Sequence, residues 1–184
     1  MTSLVIVPGW QDSGPAHWQT LWEKNFPGCL RVEQADWLRP QCADWVHGLA
    51  DAVAQADDTV VLAAHSLGCS AVVHWAASLS LAEQRRVKGA LLVAPPDVLC
   101  SAFATEVPAT GFEREPAWRL PFPSIVVASR DDPYCTIEHA RQRAAHWGSH
   151  FVDIGLAGHI NADSRLGQWE AGQRLLQRLM LGAL

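Results

Sequence analysis

The chain has 184 residues, 49% of them hydrophobic and 18% charged, with a formal net charge of −5. That length suits one domain with a sizeable core, and the composition excludes a disordered chain. The acidic balance gives no electrostatic reason to expect nucleic acid or an anionic membrane as a partner. No run reaches the roughly 18 apolar residues of a membrane span.

The first predicted element is a strand over residues 3–7, a short apolar run cut off by Pro8 and Gly9 with no basic residue before it. It does not resemble a secretory signal. Asp12, Ser13 and Gly14 then stand as cap residues before Pro15 and a helix over 15–25. A strand at 30–34, a helix at 41–55, a strand at 59–64 and a helix at 67–79 follow. Later strands are predicted at 89–94, 124–128 and 149–154, and later helices at 137–147 and 166–181. Ser164 is placed to start the last helix, and Gly182 to stop it. Several of these strands are continuously apolar, as expected of strands buried on both faces. Their alternation with helices predicts an α/β fold, a mostly parallel sheet of about six strands with helices on both faces. One domain spanning 1–184 accounts for the whole pattern.

The stretch from Pro95 to Pro121 stands apart. Six of the eleven prolines fall between Pro95 and Pro123, so one long helix is ruled out there. An irregular excursion from the carboxyl end of the sheet is expected, where ligands bind in open α/β folds. It serves either as a surface loop or as a short lid. Nine tryptophans are expected mainly to pack helices on the sheet, with one or two left to line a cleft. The five cysteines are scattered and odd in number, which argues against a disulfide framework or zinc site and for a reducing cytoplasm. Nor do the histidines fall into a metal-binding pattern, so no metal is expected.

The most informative segment is Ala64-His65-Ser66-Leu67-Gly68, at the junction of a predicted strand and helix. A serine between small residues at −2 and +2 there is the layout of a nucleophile elbow, with Ser66 as the nucleophile. Its hydroxyl then needs a base and a group that orients the base, in the chain order serine, acid, histidine. Asp132 supplies the acid after the strand at 124–128, preferred over Asp131 because Pro133 fixes its turn; Asp97 is a more distant candidate. His159 supplies the base, in a small-residue loop before the last helix. His65 is expected to support the turn, since successive strand residues point to opposite sides. The oxyanion donors expected are the backbone amides of Leu67 and Trp10.

The segments Val7-Pro8-Gly9-Trp10, His17-Trp18, Ala64-His65-Ser66-Leu67-Gly68, Asp131-Asp132-Pro133-Tyr134 and Gly158-His159-Ile160-Asn161 together resemble the small serine hydrolases related to retinoblastoma-binding protein 9 and YdeN. The resemblance implies a compact α/β-hydrolase without a large cap domain, a Ser66–His159–Asp132 triad, and ester or amide hydrolysis with no cofactor. The expected activity is hydrolysis of small carboxylic esters through an acyl-enzyme. The alternatives are an amide or peptide hydrolase with the same triad, or a binding protein on a hydrolase scaffold.

Overall fold

The computed structural model describes residues 2–56, 58–116 and 119–183. Among the described residues there are six strands: β1 (Thr2–Val7), β2 (Leu30–Arg31), β3 (Thr59–His65), β4 (Val87–Val93), β5 (Ser124–Ala128) and β6 (His150–Asp153). The helices are α1 (Trp18–Glu23), α2 (Cys42–Ala54), α3 (Leu67–Ala76), α4 (Leu81–Arg86), α5 (Ser101–Glu106), α6 (Ile137–Trp147) and α7 (Glu170–Leu181). The strands form one sheet in the order β2-β1-β3-β4-β5-β6, and every neighbouring pair is parallel.

Strand residues alternate between two apolar layers. Val5, Val7, Leu62, Ala64 and Val126 pack with Leu49 of α2, Val72 and Trp75 of α3 and Trp147 of α6. Leu4, Ile6, Val61, Ala63 and Val127 pack on the other face with Trp18 and Trp22 of α1 and Leu176 and Leu179 of α7. Both faces are therefore dry, which is why the strands read as continuous apolar runs. Each fully buried side chain of this size contributes roughly 1.5–3 kcal/mol. The tryptophans serve mainly this packing, while Trp10 lines a cavity and Trp118 lies outside the described residues.

The strand order places the site. From β1 the chain crosses to β2 on one side, whereas β3 lies on the other side of β1. The loops after β1 and β3 thus open into one crevice at the carboxyl ends of the strands, where the topology switches.

Several boundaries differ from the sequence expectation. β2 is only two residues long, an edge strand with β1 as its one neighbour. α1 starts at Trp18 with His17 as its cap, because Gln11 and Asp12 take left-handed φ values of 64° and 62° and the chain turns again before the helix. α7 starts after Trp169, whose φ is 42°, rather than after Ser164, which closes a separate 3₁₀ turn at Ala162–Ser164. Gly182 does end α7, at φ 65°. Two short helices were not expected. α4 carries a readable capping box, Ser80 with Glu83, whereas α5 is capped by the Cys100 sulfur, an unusual cap with no sequence signal.

The 95–121 excursion contains α5, and its residues 117 and 118 lie outside the described ones. It leaves β4, the neighbour of β3, and Phe103 and Val107 pack with Trp45, Leu67 and Ala71. Arg143 of α6 ties its start to its later part, through the Pro96 carbonyl and Glu115, and Trp147 Nε1 donates to Glu115 as well.

Candidate active site

Ser66 sits between β3 and α3 at φ 52°, ψ −127°, a backbone state that L residues rarely adopt and that costs of order 1–3 kcal/mol. Two glycines make room for this turn. A Cβ on Gly9 would stand 2.9 Å from Ser66 Cβ and 3.0 Å from the His65 carbonyl oxygen, while one on Gly68 would fall on the carbonyls of Val7 and Pro8. The amide of Ser66 donates to Val93 O at 2.9 Å, fixing the turn to β4.

The structure brings the three predicted side chains into one line. His159 Nε2 lies 2.7 Å from Ser66 Oγ, and His159 Nδ1 lies 2.9 Å from each oxygen of Asp132. A carboxylate only accepts, so Nδ1 carries the ring proton and Nε2 is left to accept from the serine hydroxyl. The side chains of His159 and Asp132 are 9% and 3% exposed, so little water competes for these bonds. The amide of Tyr134 holds Asp132 Oδ1 at 2.9 Å, and the Tyr134 ring stands edge-on to His159 at 4.7 Å. The arrangement can take a proton from Ser66 and hold it on an oriented imidazole.

Asp131 is turned away from this line. Its Oδ1 accepts from Ser129 Oγ at 2.7 Å and from the Gly158 amide at 2.9 Å, and these bonds, the hydroxyl's first, hold its carboxyl below the usual range. It therefore clasps the loop that carries His159. Asp97, the third candidate, pairs with His139 at 3.1 Å instead. His65 turns from the serine as expected, but it does more than support the elbow: its Nε2 lies 2.8 Å from the His159 carbonyl. Burial, then the neighbouring His17 and His159, push its pKa well down.

A cavity of about 480 Å³ opens over Ser66, lined among others by Trp10, His17, His159, Phe103, Glu106 and Tyr134. The sequence-predicted Trp10 thus borders the site, and the amide of Leu67 opens α3 directly after Ser66. Neither amide has a protein acceptor among the described residues. Phe103 and Glu106 bring α5 of the excursion to the cavity wall, and the Tyr134 hydroxyl donates to Glu106 at 2.5 Å. Sequence reasoning missed His17 and Tyr134 as parts of the site, and it weighed Asp131 only as the second choice for the acid. Among the described residues no group of three or more His, Cys, Asp or Glu side chains is placed to hold a metal ion, and no helix is long and apolar enough to cross a membrane.

Residues 4–178 match the family model described as serine hydrolase. The chain belongs to the serine hydrolase family. Among solved structures, a protein described as a YdeN-like hydrolase from Pectobacterium atrosepticum is 30% identical, with TM-score 0.83, covering 98% of this chain and 92% of its own. The YdeN gene product from B. subtilis is 18% identical with TM-score 0.79, covering 98% of this chain and 99% of its own. Est1E from Butyrivibrio proteoclasticus, solved with ferulic acid, is 13% identical with TM-score 0.72, covering 100% and 89%; that likeness is one of fold. The comparison with curated proteins gave no match. The expected kinship with YdeN-like serine hydrolases is thereby borne out, and with it the α/β-hydrolase fold and an enzymatic role.

Proposed function

We propose that this serine hydrolase cleaves small carboxylic esters through an acyl-enzyme on Ser66. The observation that carries the reading is the hydrogen-bonded line from Ser66 through His159 to Asp132 at the wall of an open cavity. Ser66 Oγ attacks the ester carbonyl as His159 Nε2 takes its proton. The amides of Trp10 and Leu67 hold the oxyanion, each such donor being worth about 10²–10³ in turnover. His159 then returns the proton to the leaving alkoxide, and Asp132 keeps the ring oriented and its charge balanced. Water, deprotonated by the same imidazole, releases the acid and restores Ser66. The named activities of fold relatives, a carboxylesterase CesB among them, support an ester rather than an amide. All five cysteines are free thiols, which suits work in a reducing cytoplasm.

Replacing Ser66 tests the assignment. Ser66→Ala should lower turnover of p-nitrophenyl esters by about 10⁶ and abolish fluorophosphonate labelling. A residual rate within about tenfold of wild type overturns the role of Ser66. Matched ester and amide substrates separate esterase from amidase, and faster amide cleavage would reverse that part of the reading.

A further inference from the structure

The loop after β1 holds a backbone state that its own sequence does not favour. The Asp12 amide donates to the Gly9 carbonyl at 3.1 Å, closing a turn over Gly9, Trp10, Gln11 and Asp12. Gln11 is the third residue of this turn at φ 64°, and Asp12 follows at φ 62°. Glycine or asparagine is the usual residue at such a left-handed third position, so a glutamine there is strained. The turn matters because a peptide unit is planar and trans, with its N–H pointing opposite to its C=O. With the Gly9 carbonyl bound by Asp12, the Trp10 N–H points the other way, and it keeps that direction only while the turn holds. Two bonds from outside the loop hold it. The Gln11 amide donates to the Trp37 carbonyl at 3.1 Å, and Trp10 Nε1 donates to the Leu38 carbonyl at 3.1 Å. Strained backbone of this kind persists only where its surroundings over-determine it.

Both of those carbonyls belong to a second turn, shaped by one carboxylate. Asp36 Oδ1 accepts the amides of Leu38 at 2.8 Å and Arg39 at 2.9 Å, the side-chain-to-backbone pattern that makes aspartate a turn former. The Asp36 carbonyl accepts from Nε1 of the fully buried Trp45 at 3.2 Å, and the Trp37 ring stands edge-on to Trp45 at 5.7 Å. The turn is therefore seated on α2. The Asp36 side chain itself is 42% exposed and stands outside the lining of the cavity.

We propose that Asp36 is a positioning residue of the oxyanion hole: it fixes the turn that offers the Trp37 and Leu38 carbonyls, and so aims the Trp10 amide. This role rests on the Ser66 reading, with Trp10 as one of the two donors. A donor aimed in advance stabilises the developing charge with no reorganisation at the moment of reaction. A donor left to wander loses that advantage chiefly in the transition state, so kcat suffers more than KM.

Thionoesters, with C=S in place of C=O, read the hole directly, because sulfur is a weak acceptor and gains little from the two amides. The experiment measures kcat and KM on p-nitrophenyl esters and their thiono counterparts, each rate divided by the alkaline hydrolysis rate. Wild type should favour the oxygen ester. In Asp36→Ala, kcat on that ester should fall by about tenfold with KM nearly constant, and the oxygen-over-sulfur preference should shrink by a similar factor. Asp36→Asn keeps an oxygen for both amides and should recover most of the preference. Trp10→Phe removes the indole donor but keeps the backbone amide, and it should shrink the preference as Asp36→Ala does. A preference absent in wild type, or unchanged in Asp36→Ala, overturns the proposal whatever the rate does. If Asp36→Ala fails to fold, the preference in Trp10→Phe decides in the same way. If wild type cleaves no ester, the Ser66 reading fails by itself, and amide hydrogen exchange then decides for Asp36. The Gln11 amide should exchange about tenfold faster in Asp36→Ala, while the Ser66 amide, bound to Val93 O, stays as slow as in wild type. Faster exchange confined to the Gly9–Asp12 turn supports the anchor, and unchanged exchange of Gln11 overturns it.

Discussion

The ring of His65 donates its Nε2 hydrogen to the backbone carbonyl of His159 at 2.8 Å. The carbonyl can only accept, so the bond fixes the His65 tautomer. One residue therefore ties the strand that carries Ser66 to the loop that carries the proposed base. That loop is under strain, since the buried, β-branched Ile160 next to His159 has a φ of 50°. Trp18 Nε1 donates to the Ile160 carbonyl at 2.9 Å. Removing the His65 donor should let His159 drift, and a misplacement of about 1 Å can cost about 10² in rate. His65→Phe is expected to lower kcat by about 10- to 100-fold with KM nearly constant, and His65→Gln to recover part of the loss. Steady-state kinetics on the three proteins checks this, and a kcat equal to wild type in His65→Phe refutes it.

The two adjacent carboxylates should separate cleanly on mutation. Asp132→Asn keeps an oxygen for the Tyr134 amide but turns the other oxygen facing His159 Nδ1 into an NH2 donor and removes the charge. For that change a fall in kcat of about 10⁴ is the measured scale in a serine protease triad. Asp131→Asn keeps an oxygen able to accept from Ser129 and Gly158, so it should lower kcat by less than about tenfold. Asp131→Ala breaks the clasp and should fall between the two. Equal losses for the two asparagine variants would refute the division of labour.

These contrasts also show where the sequence was legible. Ser66, Asp132 and His159 could be read because each stands just past a strand end in a fixed chain order, and strand ends share one rim in a parallel sheet. The packing helices were legible from apolar runs. The clasp of Asp131 on Gly158 was not, because its partners lie 27 residues apart and nothing local marks the pairing. His17 was hidden for a different reason: serine, threonine, asparagine and aspartate mark helix starts, so Asp12 and Ser13 outbid a histidine cap. In the structure Asp12 goes to Arg31 at 2.6 Å and Ser13 Oγ to Gln19 Oε1 at 2.6 Å. Long-range polar contacts, in short, override a local signal.

The glycines at the elbow should differ in kind. A methyl on Gly68 would meet two backbone carbonyls that cannot rotate away, so Gly68→Ala should destabilise the fold by about 1–3 kcal/mol, the usual range for overpacking. A methyl on Gly9 would press on Ser66 Cβ itself. Gly9→Ala should therefore lose more activity than stability, its labelling by fluorophosphonate slowing before its denaturation midpoint moves far. Urea unfolding beside labelling rates distinguishes the two. A Gly68→Ala variant as stable as wild type would show that the β1 end yields.

Buried neutral histidines make stability fall in acid. In the unfolded chain His17 and His65 take up protons near their ordinary pKa of about 6.5. In the fold His17 resists until about pH 4, chiefly through burial, and His65 is held well down by burial beside His17 and His159. Below pH 6.5 the unfolded state therefore binds more protons than the native one, so stability is full above that pH and is lost as pH drops. Each such histidine contributes a slope of up to about 1.4 kcal/mol per pH unit. For His17 that slope acts between about pH 6.5 and pH 4. Arg31 and Asp12 face His17 with opposite charges and act on it in opposite directions, so neither removes the burial effect. Denaturant unfolding from pH 7.5 to 4.5 should show wild type losing stability faster than His17→Phe, by close to one proton's worth. Parallel slopes in the two proteins would mean that His17 is protonated in the fold.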